Sequence, residues 1–153
     1  MLSKNIEKTA EIAEGFFSKI LRNKREDRRA TVVCLSGGLG VGKTAFTQAI
    51  AKHLGVKNKI ISPTFVIIKK YSIKNSKNYK FLFHLDAYRL GSEKELLYLD
   101  WEKIVGNKEH LVFIEWPENV KEIIPKNSHF IHISHAKNGH RDFQIKIMKN
   151  KEK

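Results

Sequence analysis

The stretch from Ser36 to Phe46 reads SGGLGVGKTAF, and the interpretation of the whole chain starts from it. Four glycines fall within residues 37–42, and a lysine and a threonine follow directly. The stretch matches G-x-x-x-x-G-K-[ST], in which main-chain N–H groups surround a polyphosphate because glycine has no side chain to obstruct them. We therefore predict a phosphate-binding loop made of these residues: Gly37, Gly38, Leu39, Gly40, Val41, Gly42, Lys43 and Thr44.

The elements around the loop are those that this motif requires. Thr31–Leu35 is a short β-branched apolar run, typical of a buried strand. A helix is expected from Lys43 to Leu54, ended by Gly55. Its N-terminus would add a favourable dipole for an anion, while Lys43 reaches the β- and γ-phosphates and Thr44 binds Mg²⁺. Strand, loop and helix in this order favour nucleotide binding over a simple flexible turn.

The rest of the chain alternates between helical and strand patterns. Apolar residues recur at helical spacing in 5–21, beginning at Ile6, and predict an amphipathic helix. Downstream we predict a hairpin, two short helices and three further strands, in this order: strands 65–71 and 79–85, helix 92–99, strand 111–114, helix 118–123, and strands 130–133 and 143–148 around Asn138-Gly139. This indicates an α/β fold whose mixed sheet has an antiparallel hairpin portion. We expect one domain over residues 1–148 and a frayed basic tail at 149–153.

Composition indicates a globular cytosolic protein. The N-terminus has no apolar segment typical of a signal peptide, and no apolar run approaches the roughly 18 residues that cross a bilayer. Cys34 is the one cysteine, and its apolar surroundings favour a buried, small hydrophobic role.

Positive charge is the strongest compositional bias. The net charge is +13, and residues 57–80 hold seven lysines and no acidic residue. Such a segment can contact nucleic acid. It can equally be a solvated basic face, and a lysine-rich composition also arises in an AT-biased genome. The sequence alone leaves these alternatives open.

Two carboxylates follow predicted strands, where a nucleotide-hydrolysing protein holds its metal ion or orients water. Glu115 follows LVFI and Asp86 follows FLFHL. We favour a catalytic role for both, and more strongly for Glu115 because the run before it is fully apolar. Thr64, in SPTF, could offer its hydroxyl to the γ-phosphate, although an ordinary turn explains it as well.

Two other patterns are rejected as sites. Asn107-Lys108-Glu109-His110 resembles a guanine-reading sequence but ends in His where a carboxylate is needed, so ATP is favoured over GTP. His129, His132 and His135 look like a metal cluster, but on a strand the second faces away from the other two. Trp101 is expected to pack in the core, whereas Trp116 directly follows Glu115 and could lie near the nucleotide.

Taken in order, these motifs resemble one family over about residues 9–141. GGLGVGKT, SPTF, HLDAYRL and IEWPE occur at separations similar to those of the TsaE (YjeE) family of bacterial P-loop ATPases. That resemblance implies a three-layer P-loop NTPase-like fold and Mg²⁺-dependent ATP hydrolysis, slow in the isolated protein. It also implies an accessory role, with TsaD and TsaB, in making threonylcarbamoyladenosine at adenosine 37 of tRNA, without itself transferring the threonylcarbamoyl group.

The resemblance also implies roles for individual residues. Thr44 and Glu115 would hold Mg²⁺, and Asp86 and Thr64 would belong to the hydrolytic and switch machinery. Residues expected near the nucleotide, besides the loop, are Ile6, Thr9, Trp116 and Arg141.

One departure is Gly38, where the family usually has an acidic residue, and it puts the turnover rate more in question than binding. A second is Trp101-Glu102, where a smaller residue is common, so the partner-facing helix can differ. Two alternatives stay open. The chain could be a nucleotide-dependent binding module with negligible turnover, or a small-molecule kinase.

Overall fold

The computed structural model describes residues 1–22, 28–60, 68–88, 90 and 100–148. In chain order the helices are α1 (Ile6–Arg22), α2 (Lys43–His53) and α3 (Trp101–Val105), with 3-10 segments at Pro117–Ile123 and Lys137–Gly139. The strands are β1 (Leu2–Ser3), β2 (Thr31–Ser36), β3 (Ile68–Ser72), β4 (Phe81–Asp86), β5 (His110–Glu115), β6 (His129–His135) and β7 (Arg141–Lys146).

The described strands form a seven-stranded mixed sheet in the order β1-β7-β6-β2-β5-β4-β3. The four central strands, β6, β2, β5 and β4, run parallel to one another. At the two sides β3 pairs antiparallel with β4, and β7 pairs antiparallel with both β6 and β1. The carboxyl ends of the parallel strands meet at one edge of the sheet, which is where ligands bind in open α/β sheets.

Helices cover both faces of the sheet and give it two cores. One core lies under α1 and α2, and includes Phe16, Phe46 and Phe113. The other lies on the opposite face beside α3, and includes Cys34 and Trp101. Strand residues alternate between the two cores along β5, since Leu111 and Phe113 face α1 and α2 whereas Val112 and Ile114 face α3. The predicted three-layer α/β fold is therefore confirmed.

Buried side chains confirm the structural roles expected of Cys34 and Trp101. Cys34 is fully buried, and desolvation, with the nearby Glu118 carboxylate, raises its pKa to about 12. Such a thiol stays protonated and unreactive at neutral pH. The Trp101 indole is buried and donates its N–H to the Ile123 carbonyl oxygen at 3.2 Å.

Most predicted elements agree with the structure to within a few residues, and the short helix predicted at 118–123 is a 3-10 helix over Pro117–Ile123, interrupted at Val120. One interpretation was wrong. Ile6 does not belong to the packed face of α1, since its side chain is 69% exposed. The short elements β1 and α3 carry no periodic signal and were not predicted. The predicted helix 92–99 and the tail 149–153 lie outside the described residues.

No helix in the described ranges combines the length and the apolar composition that crossing a membrane requires.

Candidate functional site

The glycine loop leaves the carboxyl end of β2 in a conformation that requires glycine. Gly37 has φ 143°, and a Cβ atom there would lie 2.3 Å from the carbonyl oxygen of Ile133. Gly42 has φ 107°, and its Cβ would lie 2.9 Å from the Arg141 guanidinium. Any other residue would strain the backbone at both positions and push the loop off β6 and β7. The first and last glycines of the motif are therefore also required by the packing of the loop.

Gly38 differs from these two glycines. A Cβ atom there would meet only the Val41 side chain, at 3.9 Å, and its φ is not positive. The backbone would thus accept the acidic residue usual in the family. The departure at Gly38 changes the charge of the loop rather than its conformation.

Lys43 lies folded over the loop that precedes it. Its ammonium donates to the carbonyl oxygens of Gly37, at 2.6 Å, and Gly38, at 3.3 Å. The same nitrogen lies 3.8 Å from the centroid of the Trp116 ring, a cation–π arrangement. The side chain is 5% exposed. A positive charge is therefore held directly above the loop, where phosphates would bind.

Two opposing effects act on the pKa of Lys43. Desolvation lowers it from the usual value, and the carboxylates of Glu115, Glu118 and Asp86 partly oppose this by raising it. The site therefore contains three carboxylates as well as the Lys43 ammonium. A phosphate brought to Lys43 would favour the charged ammonium further.

Thr44 and Glu115 meet beside the loop. The Thr44 hydroxyl lies 3.1 Å from Oε2 and 3.4 Å from Oε1 of Glu115, and Glu115 is buried. The parallel pairing of β2 with β5 produces this contact, because Leu35 is opposite Glu115. A hydroxyl and a carboxylate are oxygen ligands of the kind Mg²⁺ prefers, usually together with phosphate oxygens and water. The donor set therefore fits Mg²⁺.

His84, on the neighbouring strand β4, contacts the Glu115 carboxylate. Its Nε2 lies 2.5 Å from Glu115 Oε2, and the imidazole is fully buried. His84 was missed by the sequence reasoning, which considered only Asp86 and Arg89 in HLDAYRL. The available signal was the period of two along β4, which places His84 and Asp86 on the same face.

Asp86 lies one strand farther from the loop than Glu115. The sheet order is β2-β5-β4, and Asp86 is opposite Glu115 in the β4–β5 ladder. Its Oδ1 accepts the Tyr88 main-chain N–H at 3.0 Å. Glu115 is therefore the acid beside Thr44, and Asp86 is placed to act on Lys43 through its charge.

Trp116 turns the chain over the site. Its φ of 60° lies in the left-handed region, which is costly for a bulky residue. Its N–H donates to the Leu35 carbonyl oxygen at 3.3 Å, and its ring lies 5.0 Å from that of Tyr88. This conformation brings the indole over Lys43. The place of Trp116 near a nucleotide stays a prediction, and Tyr88 was not anticipated.

A cleft of about 260 Å³ lies beyond the loop, next to Ala45. It is lined by three residues expected near the nucleotide, Ile6, Thr9 and Arg141. The Thr9 hydroxyl is buried and hydrogen-bonded to that of Ser3 at 2.7 Å. Arg141 reaches across to donate to the Gly40 carbonyl oxygen at 3.3 Å. The exposed Ile6 and the Arg141 cation thus frame a space that continues from the loop.

Two residues that the sequence analysis considered lie outside the described residues. They are Thr64, which belongs to the stretch SPTF, and Arg89. The histidines of β6 alternate as expected, with His129 buried and His132 exposed. His129 Nδ1 accepts the Met148 N–H at 3.1 Å, and His132 Nδ1 lies 2.8 Å from Ser36 Oγ.

Comparison with known proteins places this geometry in a family. Residues 3–143 match the family model of TsaE, threonylcarbamoyl adenosine biosynthesis protein. The chain is 30% identical over 119 residues to the Haemophilus influenzae tRNA threonylcarbamoyladenosine biosynthesis protein TsaE, covering 78% of this chain and 72% of that one. It is 35% identical over 120 residues to the Bacillus subtilis protein of the same name, with the same two coverages.

A solved structure shows the same fold. The crystal structure of Bacillus subtilis YdiB is 30% identical to this chain and superposes with a TM-score of 0.66, covering 98% of this chain and 85% of that one. From the family match over residues 3–143 and these relatives, this chain belongs to the TsaE family and has its P-loop NTPase-like fold.

Proposed function

We propose that the protein is a Mg²⁺-dependent ATPase that acts in the cytoplasm as an accessory subunit in forming threonylcarbamoyladenosine at adenosine 37 of tRNA. Its partners would be the TsaD and TsaB proteins. Relatives at 30–35% identity are named for this biosynthesis. The observation that carries the proposal is the contact of the Thr44 hydroxyl with the buried Glu115 carboxylate, next to Lys43 on the glycine loop.

The chain's own residues would divide the work as follows. Main-chain N–H groups of 37–44 and the Lys43 ammonium bind the phosphates, which requires Lys43 to leave the carbonyl oxygens of Gly37 and Gly38. Thr44 and Glu115 would hold Mg²⁺, which when bound would neutralise charge on the transferring phosphoryl group. Asp86 and Thr64 would orient water, and the cleft at Ile6, Thr9 and Arg141 would receive the nucleoside.

ATP is favoured over GTP by the place of the one guanine-like sequence. Asn107-Lys108-Glu109 precedes β5 and His110 is the first residue of that strand, whereas Glu115, beside the loop, is its last residue. The Asn107 side chain accepts the N–H of Glu109, and the His110 imidazole lies 2.8 Å from the Ile104 carbonyl oxygen. These side chains serve a local turn.

The kinase alternative is weakened because, among the described arginines, Arg141 alone has a hydrogen bond to the loop, where it donates to the Gly40 carbonyl oxygen. Arg28 and Arg29 precede β2, which separates them from the loop by six strand residues, about 20 Å. A kinase lid brings arginines over the transferred phosphate. The binding-module alternative is favoured by one feature, the missing acid at Gly38, and the next experiment separates it from an ATPase.

ATP turnover should be low for the isolated protein and should rise when the TsaB and TsaD partners are added. The physical reason is that Lys43 is held on the loop carbonyls and Arg141 on Gly40, so the site must be rearranged before it can act on phosphate. The measurement is phosphate release by the protein alone, with both partners, and with partners plus tRNA. A chain that binds ATP without turnover in all three mixtures is a binding module. Efficient transfer to a small metabolite, indifferent to the partners, would refute the proposal.

The lysine-rich segment gives a second prediction, for association with tRNA. Lys69 and Lys70 lie on the edge strand β3, and Lys74 and Lys77, which follow it in the chain, are exposed. Lysines on an edge strand also oppose aggregation through strand pairing. That role would explain them without any contact with tRNA. If the surface contacts tRNA, the affinity should fall steeply with salt, and Lys74→Glu with Lys77→Glu should reduce the slope of log K against log salt by about 1–2.

A matched control is the pair Lys121→Glu and Lys126→Glu, which makes the same charge change at two exposed positions near Pro125, on another part of the surface. If both pairs weaken binding equally, the protein responds to net charge and not to this surface. Salt-insensitive association would indicate that the lysines serve solubility alone.

A further inference from the structure

We propose that His84 is a positioning residue that fixes the Glu115 carboxylate for the metal ion. The inference rests on the proposed metal role of Glu115 and extends it to a residue beneath the site. Nε2 of His84 lies 2.5 Å from Glu115 Oε2, and both side chains are almost completely buried, at 0% and 5% exposure. Among the described residues, the hydrogen bond of His84 is made to Glu115, so we place its effect on the site through Glu115.

The burial of His84 needs an explanation of its own. It lies between Phe83 and Leu85 in an apolar strand, where an imidazole costs free energy unless its polar atoms are paired. In the described part of the chain its Nε2 is paired with Glu115, and its Nδ1 has no hydrogen-bond partner. If this position only filled the core, leucine would be more stabilising, because it has no polar atom to bury. Within the described ranges, the one hydrogen bond of the His84 side chain is made to the acid at the site.

The direction of that contact places one proton of the imidazole. An ionised carboxylate only accepts hydrogen bonds, so the proton of this hydrogen bond lies on Nε2. The buried Nδ1 has no hydrogen-bond partner among the described residues.

The hydrogen bond distinguishes the two carboxylate oxygens of Glu115. Oε2 is tied to His84, whereas Oε1 has no contact with the imidazole, and both lie within 3.4 Å of the Thr44 hydroxyl. His84 therefore holds the carboxylate in one orientation and leaves Oε1 for a cation beside Thr44. Partners of this kind, one bond removed from a metal, typically change its affinity by about 10- to 100-fold when removed.

The test measures metal binding directly. Mn²⁺, as a probe for Mg²⁺, is titrated into the protein–ADP complex, and free Mn²⁺ is followed by electron paramagnetic resonance. His84→Leu should weaken Mn²⁺ binding about 10- to 100-fold, while ADP affinity measured in EDTA stays within about twofold of the wild type. His84→Gln should restore most of the Mn²⁺ affinity because its amide has an N–H donor of similar reach. His84→Asn should not, because its shorter side chain holds the donor too far back.

Leu82→Ala is the control for a defect in the core. Leu82 is fully buried on the same face of β4, two residues before His84, and lines no part of the site. All variants are compared below their melting transitions. The Gln and Asn variants keep a polar amide at the position, so their comparison stands even if His84→Leu fails to fold.

Three results would overturn the inference. They are wild-type Mn²⁺ affinity in His84→Leu and His84→Asn, equal weakening in His84→Gln and His84→Asn, and equal weakening in Leu82→Ala. A wild-type protein that binds no ADP would instead refute the proposed function itself. The two failures are therefore distinguishable.

Discussion

Replacement of Lys43 by alanine is expected to abolish ATP binding at ordinary concentrations. The ammonium is held on the loop backbone, 2.6 Å from the Gly37 carbonyl oxygen, and Lys43 is nearly buried. Removing one partner of a desolvated, charge-assisted pair costs about 2–5 kcal/mol of binding, or about 30-fold to several-thousand-fold in affinity. Calorimetric titration of Lys43→Ala with ATP and Mg²⁺ measures the loss.

Lys52→Ala is the matched control for this substitution. Lys52 is on the same helix α2 but is exposed in its last turn, so the variant removes one positive charge without touching the loop. Its ATP affinity should stay close to that of the wild type. If both variants lose the same affinity, general electrostatic attraction holds the nucleotide. If Lys43→Ala binds ATP normally, the loop is not the phosphate site.

Loss of the Glu115 carboxylate should separate nucleotide binding from catalysis. Glu115→Ala is expected to keep part of its ATP affinity, because Lys43 and the loop remain. Mg²⁺-dependent turnover should fall at least about 100-fold, since a metal ion contributes several kcal/mol of charge stabilisation. Phosphate release measured across a Mg²⁺ series, with ATP affinity measured in EDTA, tests both halves of this expectation.

The structure suggests Glu115→Gln as a companion variant. Alanine leaves the buried Nε2 of His84 without its acceptor, at a cost of about 1–3 kcal/mol, so Glu115→Ala should also melt at a lower temperature. Glutamine keeps an oxygen for His84 and should lose turnover with less loss of stability. Glu118→Ala, an exposed acid nearby that also acts on Lys43 by its charge, is the control. Full turnover in both Glu115 variants would move the metal role to Asp86.

The local parts of the site could be predicted from the sequence because they depend on residues close in the chain. Residues 31–54 contain a β-branched run, a glycine loop and the start of a helix, which together predicted a strand, a phosphate-binding loop and a helix in this order. The structure has β2, the loop and α2 at these positions. The apolar run before Glu115 likewise predicted the end of β5 within one residue. The nucleotide roles of Thr64, Ile6, Thr9 and Arg141 stay predictions.

Long-range features could not be predicted in the same way. Thr44 and Glu115 are 71 residues apart in the chain, and they meet because β2 pairs parallel with β5. The periodicity of each strand does not indicate which strands are neighbours in the sheet. His84 was missed for the same reason, since a histidine inside an apolar run has no partner until β4 is placed beside β5. The two-residue strand β1 is too short to carry any pattern.

The amino-acid sequence by itself determined that a phosphate-binding loop joins a buried strand to a helix, and that acids follow two other strands. These depend on glycine's freedom at positive φ, on apolar periodicity and on short spacings, all of which are local. Only the tertiary structure decided that Glu115 rather than Asp86 meets Thr44, that Trp116 covers Lys43 and that His84 lies under Glu115. The physical reason is the sheet order β2-β5-β4, which places Glu115 between Asp86 and the loop.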